Sequence, residues 1–466
     1  MKLLHLNHLI SIALTLILSC KAASVPQHAS SSHINVPQMT LSLSAPAGYT
    51  AGMNMGQSST KPPRKKPSEC TVIPQGWGRD DSNQILSAVQ KCGKNGVINL
   101  PAPYVYTIRS RLYMNLEHAR LNVHGTMSFA PDIAYWIDNS HRVEFQNQST
   151  AWIIEGHDFI IDGGGWNQGG IDGNGQAWYS YARGQSNLFG RPISLSIFNS
   201  SNAKVQDFSI RDPQFWSIWI QDSHDIALNS IYINGTNNDP NGAGHDYEIN
   251  VDGLDTLRVN NLEARDWRFN GGDDCIAPKG NSTNMVFRNF SCTGGGMAFG
   301  SLGQYKNAPD YINNVSVSDI SVMQPHRPRF GGPGVSGGAY FKSWVGFEAG
   351  KPPQGGGGGG GTISNVSFHN LMVKNTTQAI FVNKCYHKDP SQADKCDTAK
   401  LKFKDLYFNN VSGTVSNKYG IALNCSTAAP CTNIKFDGVH LTKFGSEKKA
   451  DVFCDNAKHI KGTSCQ

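Results

Sequence analysis

Charged residues and long apolar runs are both scarce in this chain. Charged side chains make up only 16% of it, which disfavours long, solvated surface helices, while 49 Gly together with Asn- and Ser-rich segments favour strands and turns. Beyond the N-terminus no stretch approaches the roughly 20 apolar residues of a membrane helix, so a membrane partner is excluded. No basic stripe with interleaved aromatics is present, which excludes nucleic acid. No Cys-x-x-Cys or Cys/His spacing suits zinc, and no metal site is read.

At the N-terminus, Lys2, the apolar run Leu9–Leu18 and the small pair Ala22-Ala23 predict a signal peptide over residues 1–23. A Ser/Pro/Ala/Gln-rich disordered leader follows over 24–69, and one domain is expected over 70–466. Of 11 Cys, Cys20 falls in the signal; the even remainder suits an oxidising compartment. Short-range pairing is the simplest of many connectivities: Cys70–Cys92, Cys275–Cys292, Cys385–Cys396, Cys425–Cys431 and Cys454–Cys465. Asn-x-Ser/Thr sequons such as Asn147, Asn199, Asn281 and Asn314 fit a secreted, extracellular glycoprotein. The formal net charge of +6 would help capture a polyanion.

Asp81–Cys92 carries a capping residue and helical apolar spacing, predicting a short helix that caps the first coil; 97–100 and 104–108 read as strands. From about residue 200 an apolar-x-apolar-polar-polar-apolar-x-apolar frame recurs, as in Ile226/Leu228/Ile231/Ile233 and Met285/Phe287/Phe290/Cys292. Its second position falls at 228, 259, 287, 317, 368, 403 and 436, in steps of 31, 28, 30, 51, 35 and 33. Asn or Asp often marks the corner (Asn261, Asn289, Asp319, Asn370, Asp405). Repeats of this size stack as coils of a β-solenoid, and a parallel β-helix fits best; a β-sandwich gives no reason for in-register corner residues. The 51-residue step reads as a normal coil plus an insertion, with Gly355–Gly361 a flexible loop.

Asp252 precedes Asp273 by 21 residues, one coil of such a stack. Rungs lie about 4.8 Å apart, so Asp252, Asp273 and Asp274 come together if Gly271-Gly272 bends the chain. Clustered carboxylates supply both a proton donor and a base, the equipment for hydrolysing a glycosidic bond. In Phe215–Ile220, strand alternation puts Trp216 on the core face and makes Trp219 the candidate of the two for the groove, with packing as the default.

Residues 249–305 resemble glycoside hydrolase family 28, the polygalacturonases and rhamnogalacturonases. Asn250-Val251-Asp252-Gly253, Gly272-Asp273-Asp274-Cys275 and Gly300-Ser301-Leu302-Gly303-Gln304-Tyr305 carry the likeness. The resemblance implies a right-handed parallel β-helix, an acidic pectic polysaccharide as substrate, and inverting hydrolysis without metal or cofactor. It casts Asp273 as general acid, with Asp252 and Asp274 holding the attacking water. A monomer is expected.

Two positions depart from the family pattern. Gly294-Gly295-Gly296 stands where polygalacturonases have Gly-His-Gly, and Tyr340-Phe341-Lys342 keeps only the Lys of their Arg-Ile-Lys. Lys342, Tyr340, Tyr305 and His245 are the substrate-binding candidates, His245 as a stand-in for the missing His. The two losses leave a galacturonan and a rhamnogalacturonan substrate as close competitors. Inserted loops at 235–248 and 327–361 suggest an exo-acting enzyme. A calcium-dependent lyase and a non-catalytic glycan-binding solenoid are the other classes.

Overall fold

The computed structural model describes residues 67–242, 245, 247–324, 337–386 and 390–466. The expected signal peptide, and the leader up to residue 66, lie outside them, as does 325–336 of the long insertion. The described chain is a right-handed parallel β-helix, its principal sheet counting 23 strands among those residues. Strands such as Leu195–Arg211, Ile218–Asn234 and Leu254–Asn270 run through corners and pair in parallel with the coils before and after them.

The interior is a column of stacked apolar rows. Ile226, Leu262, Met285, Val315, Val366, Leu406 and Ile434 are in register and buried. This register corrects the repeat frame at two coils. Leu262, rather than Leu257, matches Ile226, and Leu406, rather than Leu401, matches Val366. Each coil has two polar corners five residues apart, such as Asn261/Asp266 and Asp405/Asn410, all at positive φ, so a frame based on one corner slips onto the other. Asn and Asp tolerate this conformation better than other residues with side chains. Their side chains also form rungs along the stack: Asn289 donates to Asp266 (2.6 Å), Asn370 to Asp319 (2.7 Å) and Asn410 to Asn370 (2.8 Å).

Helix Ser82–Cys92 closes the N-terminal end, burying Ile85, Ala88, Val89 and Cys92. Asp81 occupies its N-cap, but its carboxylate accepts from Gln75 N and Thr107 N, tying the helix to neighbouring segments instead of capping it. All five disulfides pair as the short-range scheme expects. Cys275–Cys292 closes a 17-residue separation beside Asp274, and a loop of that size contributes about 3 kcal/mol. Cys275→Ser/Cys292→Ser should therefore lower the denaturant midpoint by an amount equivalent to about 3 kcal/mol, and an unchanged midpoint would show that stacking alone holds this coil.

The glycine run is more ordered than its composition suggests. Gly356–Gly357 pairs antiparallel with Glu348–Ala349, and Gly360 begins the strand to Thr376. A Cβ on Gly357 would lie 2.3 Å from Phe347 O. The missing side chains permit close backbone contact here and do not make a loose tether.

Candidate active site

The site lies on the outer face of the sheet formed by Ile218–Gln221, Leu254–Thr256, Ile276–Pro278, Met297–Leu302 and Gly337–Ser343. Leu254 pairs with Ile276, so the residues just before each strand, Asp252 on one coil and Asp273-Asp274 on the next, become neighbours. One carboxylate oxygen from each of the three Asp lies within 4.8 Å of the others. Such a group could hold a cation, and could equally share a proton.

Each acid is held differently. Asp273 Oδ2 accepts from Asn250 N (3.0 Å) and Nδ2 (3.4 Å), and Asn250 Oδ1 in turn accepts from Asn187 N (2.7 Å) and Ser186 Oγ (3.0 Å). Asp274 Oδ2 receives Lys342 Nζ at 2.6 Å. Asp252 is buried, and its Oδ1 has no hydrogen-bond partner among the described residues. Burial first, then the neighbouring Asp255, Asp273 and Asp274 charges, push the Asp252 carboxyl well above the usual range, with Lys279 opposing.

Beneath this cluster lies an ion pair that motif reading does not single out. Asp255, wholly buried, is ion-paired with Lys279 Nζ at 2.7 Å, and burial carries its carboxyl up to about 6 against the pull of that lysine. Lys279 also donates to Gly300 O (3.1 Å), and its ammonium lies 5.3 Å from the Trp216 ring centre. The available clue was the stack itself: Lys279 follows the strand Ile276–Pro278, which pairs with Met297–Leu302, and that strand pairs in turn with Gly337–Ser343, which carries Lys342.

The cavity over the acids is lined by Asp252, Asp273, Asp274, Lys279, Lys342 and Tyr386, among others. Loops from distant coils wall it. Gln354 Nε2 donates to Ser186 O (2.8 Å), Gln146 Nε2 to Gln304 Oε1 (2.7 Å), and Gln146 N to the Tyr305 hydroxyl (2.7 Å). Tyr305 thus belongs to the wall. Tyr340 is buried behind Lys342, whose ammonium is 4.9 Å from its ring centre, and its hydroxyl accepts from Asn383. His245 stacks on Tyr247, 5.9 Å between centroids, and does not line this cavity.

The Trp assignment is reversed. Trp216 lines the cavity, whereas Trp219 is fully buried, stacked on Phe145 and on Trp216. Trp216 precedes the strand that begins at Ile218, so strand alternation does not extend to it. The Gly295 coil is packed too tightly for a histidine in this backbone: a Cβ there would sit 2.8 Å from Asp273 O and 3.0 Å from Asp274 Cα.

A parallel β-helix with three carboxylates and a lysine gathered on one face of its stack defines a glycoside hydrolase. Residues 106–327 and 353–465 match the model for glycosyl hydrolases family 28, and the chain belongs to that family. The unmatched gap falls on the long insertion. The chain is 42% identical over 437 residues to the putative galacturan 1,4-alpha-galacturonidase A of Aspergillus niger, covering 90% of this chain and 98% of that protein. It is 32% identical over 451 residues to the probable exopolygalacturonase X of Neosartorya fischeri, covering 93% and 99%. Among solved structures, the endo-xylogalacturonan hydrolase of Aspergillus tubingensis aligns with a TM-score of 0.70 at 23% identity over 86% of this chain and 99% of that one, a likeness of fold.

Proposed function

We propose that this chain is a secreted exo-acting galacturonidase that removes residues from the end of a galacturonan chain by single displacement. The observation that carries the reading is the acid cluster in a cavity walled by loops at 146, 186–187, 304–305 and 353–354. A groove closed on one side admits a chain end and stops a chain passing through. The names of the relatives agree with this reading.

Asp273, oriented by Asn250, serves as general acid to the leaving oxygen. Asp252 and Asp274 hold and deprotonate the water, and the open Oδ1 of Asp252 provides the acceptor. Lys342 neutralises Asp274 and faces a uronate carboxylate. Inverting pairs usually stand about 6.5–9.5 Å apart, carboxyl to carboxyl, whereas here one oxygen of each acid lies within 4.8 Å of the others. Inversion therefore requires that the water held by Asp252 and Asp274 attack the anomeric carbon from the face opposite the leaving oxygen, which Asp273 protonates. His245 has no role in this scheme, and Tyr305 and Tyr340 act through the wall and through Lys342. Five disulfides fit an oxidising, extracellular setting, with residues 1–23 as signal, 24–69 as leader and 70–466 as catalytic domain. All site residues come from one copy, which suits a monomer. Among the described residues no helix is long and apolar enough to cross a membrane.

Digestion of homogalacturonan and of rhamnogalacturonan oligosaccharides in chelator, followed by mass and anomer analysis, tests this proposal. Monogalacturonate with inverted configuration is expected from homogalacturonan alone. Internal fragments would overturn exo action, retained configuration would overturn single displacement, and an unsaturated product would mean a lyase.

A further inference from the structure

The mechanism above leaves one cation of the cavity without a task. Lys279 lines the cavity while its residue as a whole is 5% exposed, a placement that costs desolvation unless the charge is matched. Its Nζ donates to Gly300 O and is ion-paired with Asp255 at 2.7 Å, and an ammonium with three N–H groups keeps donor capacity for a ligand in the cavity. Asp255 is not part of the cavity lining, so the pair anchors the lysine from below and presents its ammonium above.

Lys279, just past the strand Ile276–Pro278, and Lys342, on the strand Gly337–Ser343, both line the cavity, and the strand between theirs contributes Gly300, which has no side chain to screen one from the other. Two ammoniums therefore converge on one cavity. The Gly295 backbone is too close to Asp273-Asp274 to carry a cationic side chain. A uronate carboxylate, with two oxygens, suits a pair of ammoniums better than one. A neutral sugar offers Lys279 only uncharged hydroxyl and ring oxygens, which make weaker bonds to an ammonium than a carboxylate does.

We infer that Lys279, anchored by Asp255, is a specificity-determining residue that binds the carboxylate of the substrate uronate together with Lys342. This rests on the galacturonidase reading above. A purely structural Lys279, present only to neutralise Asp255, is the competing explanation.

The test compares kcat/KM on trigalacturonate with that on its carboxyl-reduced counterpart, for the wild-type protein, Lys279→Met, and Asp255→Asn/Lys279→Met. The double variant leaves no buried charge of the pair unmatched and keeps the experiment readable if the single variant does not fold. Wild type is expected to prefer the acidic trimer. Both variants should lower that preference by about 10- to 100-fold, the worth of a hydrogen bond to a charged group, with the loss mainly in KM. A double variant that keeps the wild-type preference, whatever its absolute rate, overturns the assignment of Lys279. A wild type with no preference for the acidic trimer overturns the galacturonidase reading instead, and the assignment falls with it.

Discussion

Asp252→Asn is expected to lower kcat/KM on galacturonan by about 10²- to 10⁴-fold, the usual worth of a general acid or base, and at the same time to raise the thermal midpoint at pH 7. Four carboxylates, Asp252, Asp255, Asp273 and Asp274, face two ammoniums, Lys279 and Lys342, in a largely buried space. The cluster therefore carries excess negative charge when fully ionised. Asp252 bears most of this, its carboxyl being raised by burial and by its acidic neighbours. A carboxyl whose folded pKa exceeds its unfolded value contributes stability that is fully present below about pH 4 and lost as pH rises through the folded pKa. At pH 7 its ionised form opposes folding, and Asn, neutral and nearly isosteric, removes that cost. The gain in midpoint should shrink toward zero near pH 4, where Asp252 holds its proton in both proteins. Calorimetry at the two pH values, with kinetics on the same preparations, checks both halves. A lower midpoint at pH 7 would mean that the Lys279 charge has more need of Asp252 than Asp252 costs.

Lys342→Met should act in the opposite sense on stability. Asp274 and Lys342 are both buried and joined at 2.6 Å, and removing one partner strands the other. Breaking a buried pair in this way costs about 3–5 kcal/mol, so the midpoint should fall at neutral pH. Loss of a cation also raises the proton affinity of the carboxylate cluster taken together. The acidic limb of the pH–rate profile should therefore move to higher pH, and KM for an acidic oligomer should rise. Lys342→Arg restores charge but not shape, and should recover stability more than rate. An unmoved acidic limb in the Met variant would show that Lys342 does not set the protonation of the acids.

The sequence determined whatever depends on nearby residues and on the repeat. Alternating apolar pairs and polar corners specify a stack, because only stacked coils bury both rows and satisfy the corner amides. The disulfides were legible because each joins residues at most 22 apart. The acid triad was legible because one coil separates Asp252 from Asp273. Tertiary structure decided the rest. Two equivalent corners per coil hide the true frame, which only backbone pairing between coils resolves. Strand alternation misled at Trp216 because the strand starts after it. The Lys279–Asp255 pair requires knowing which outward positions meet across stacked strands. The wall joins Gln146 to Gln304 and Ser186 to Gln354, contacts spanning 158 and 168 residues. No local pattern encodes such contacts, since they depend on where insertions from separate coils fold back over the same rung.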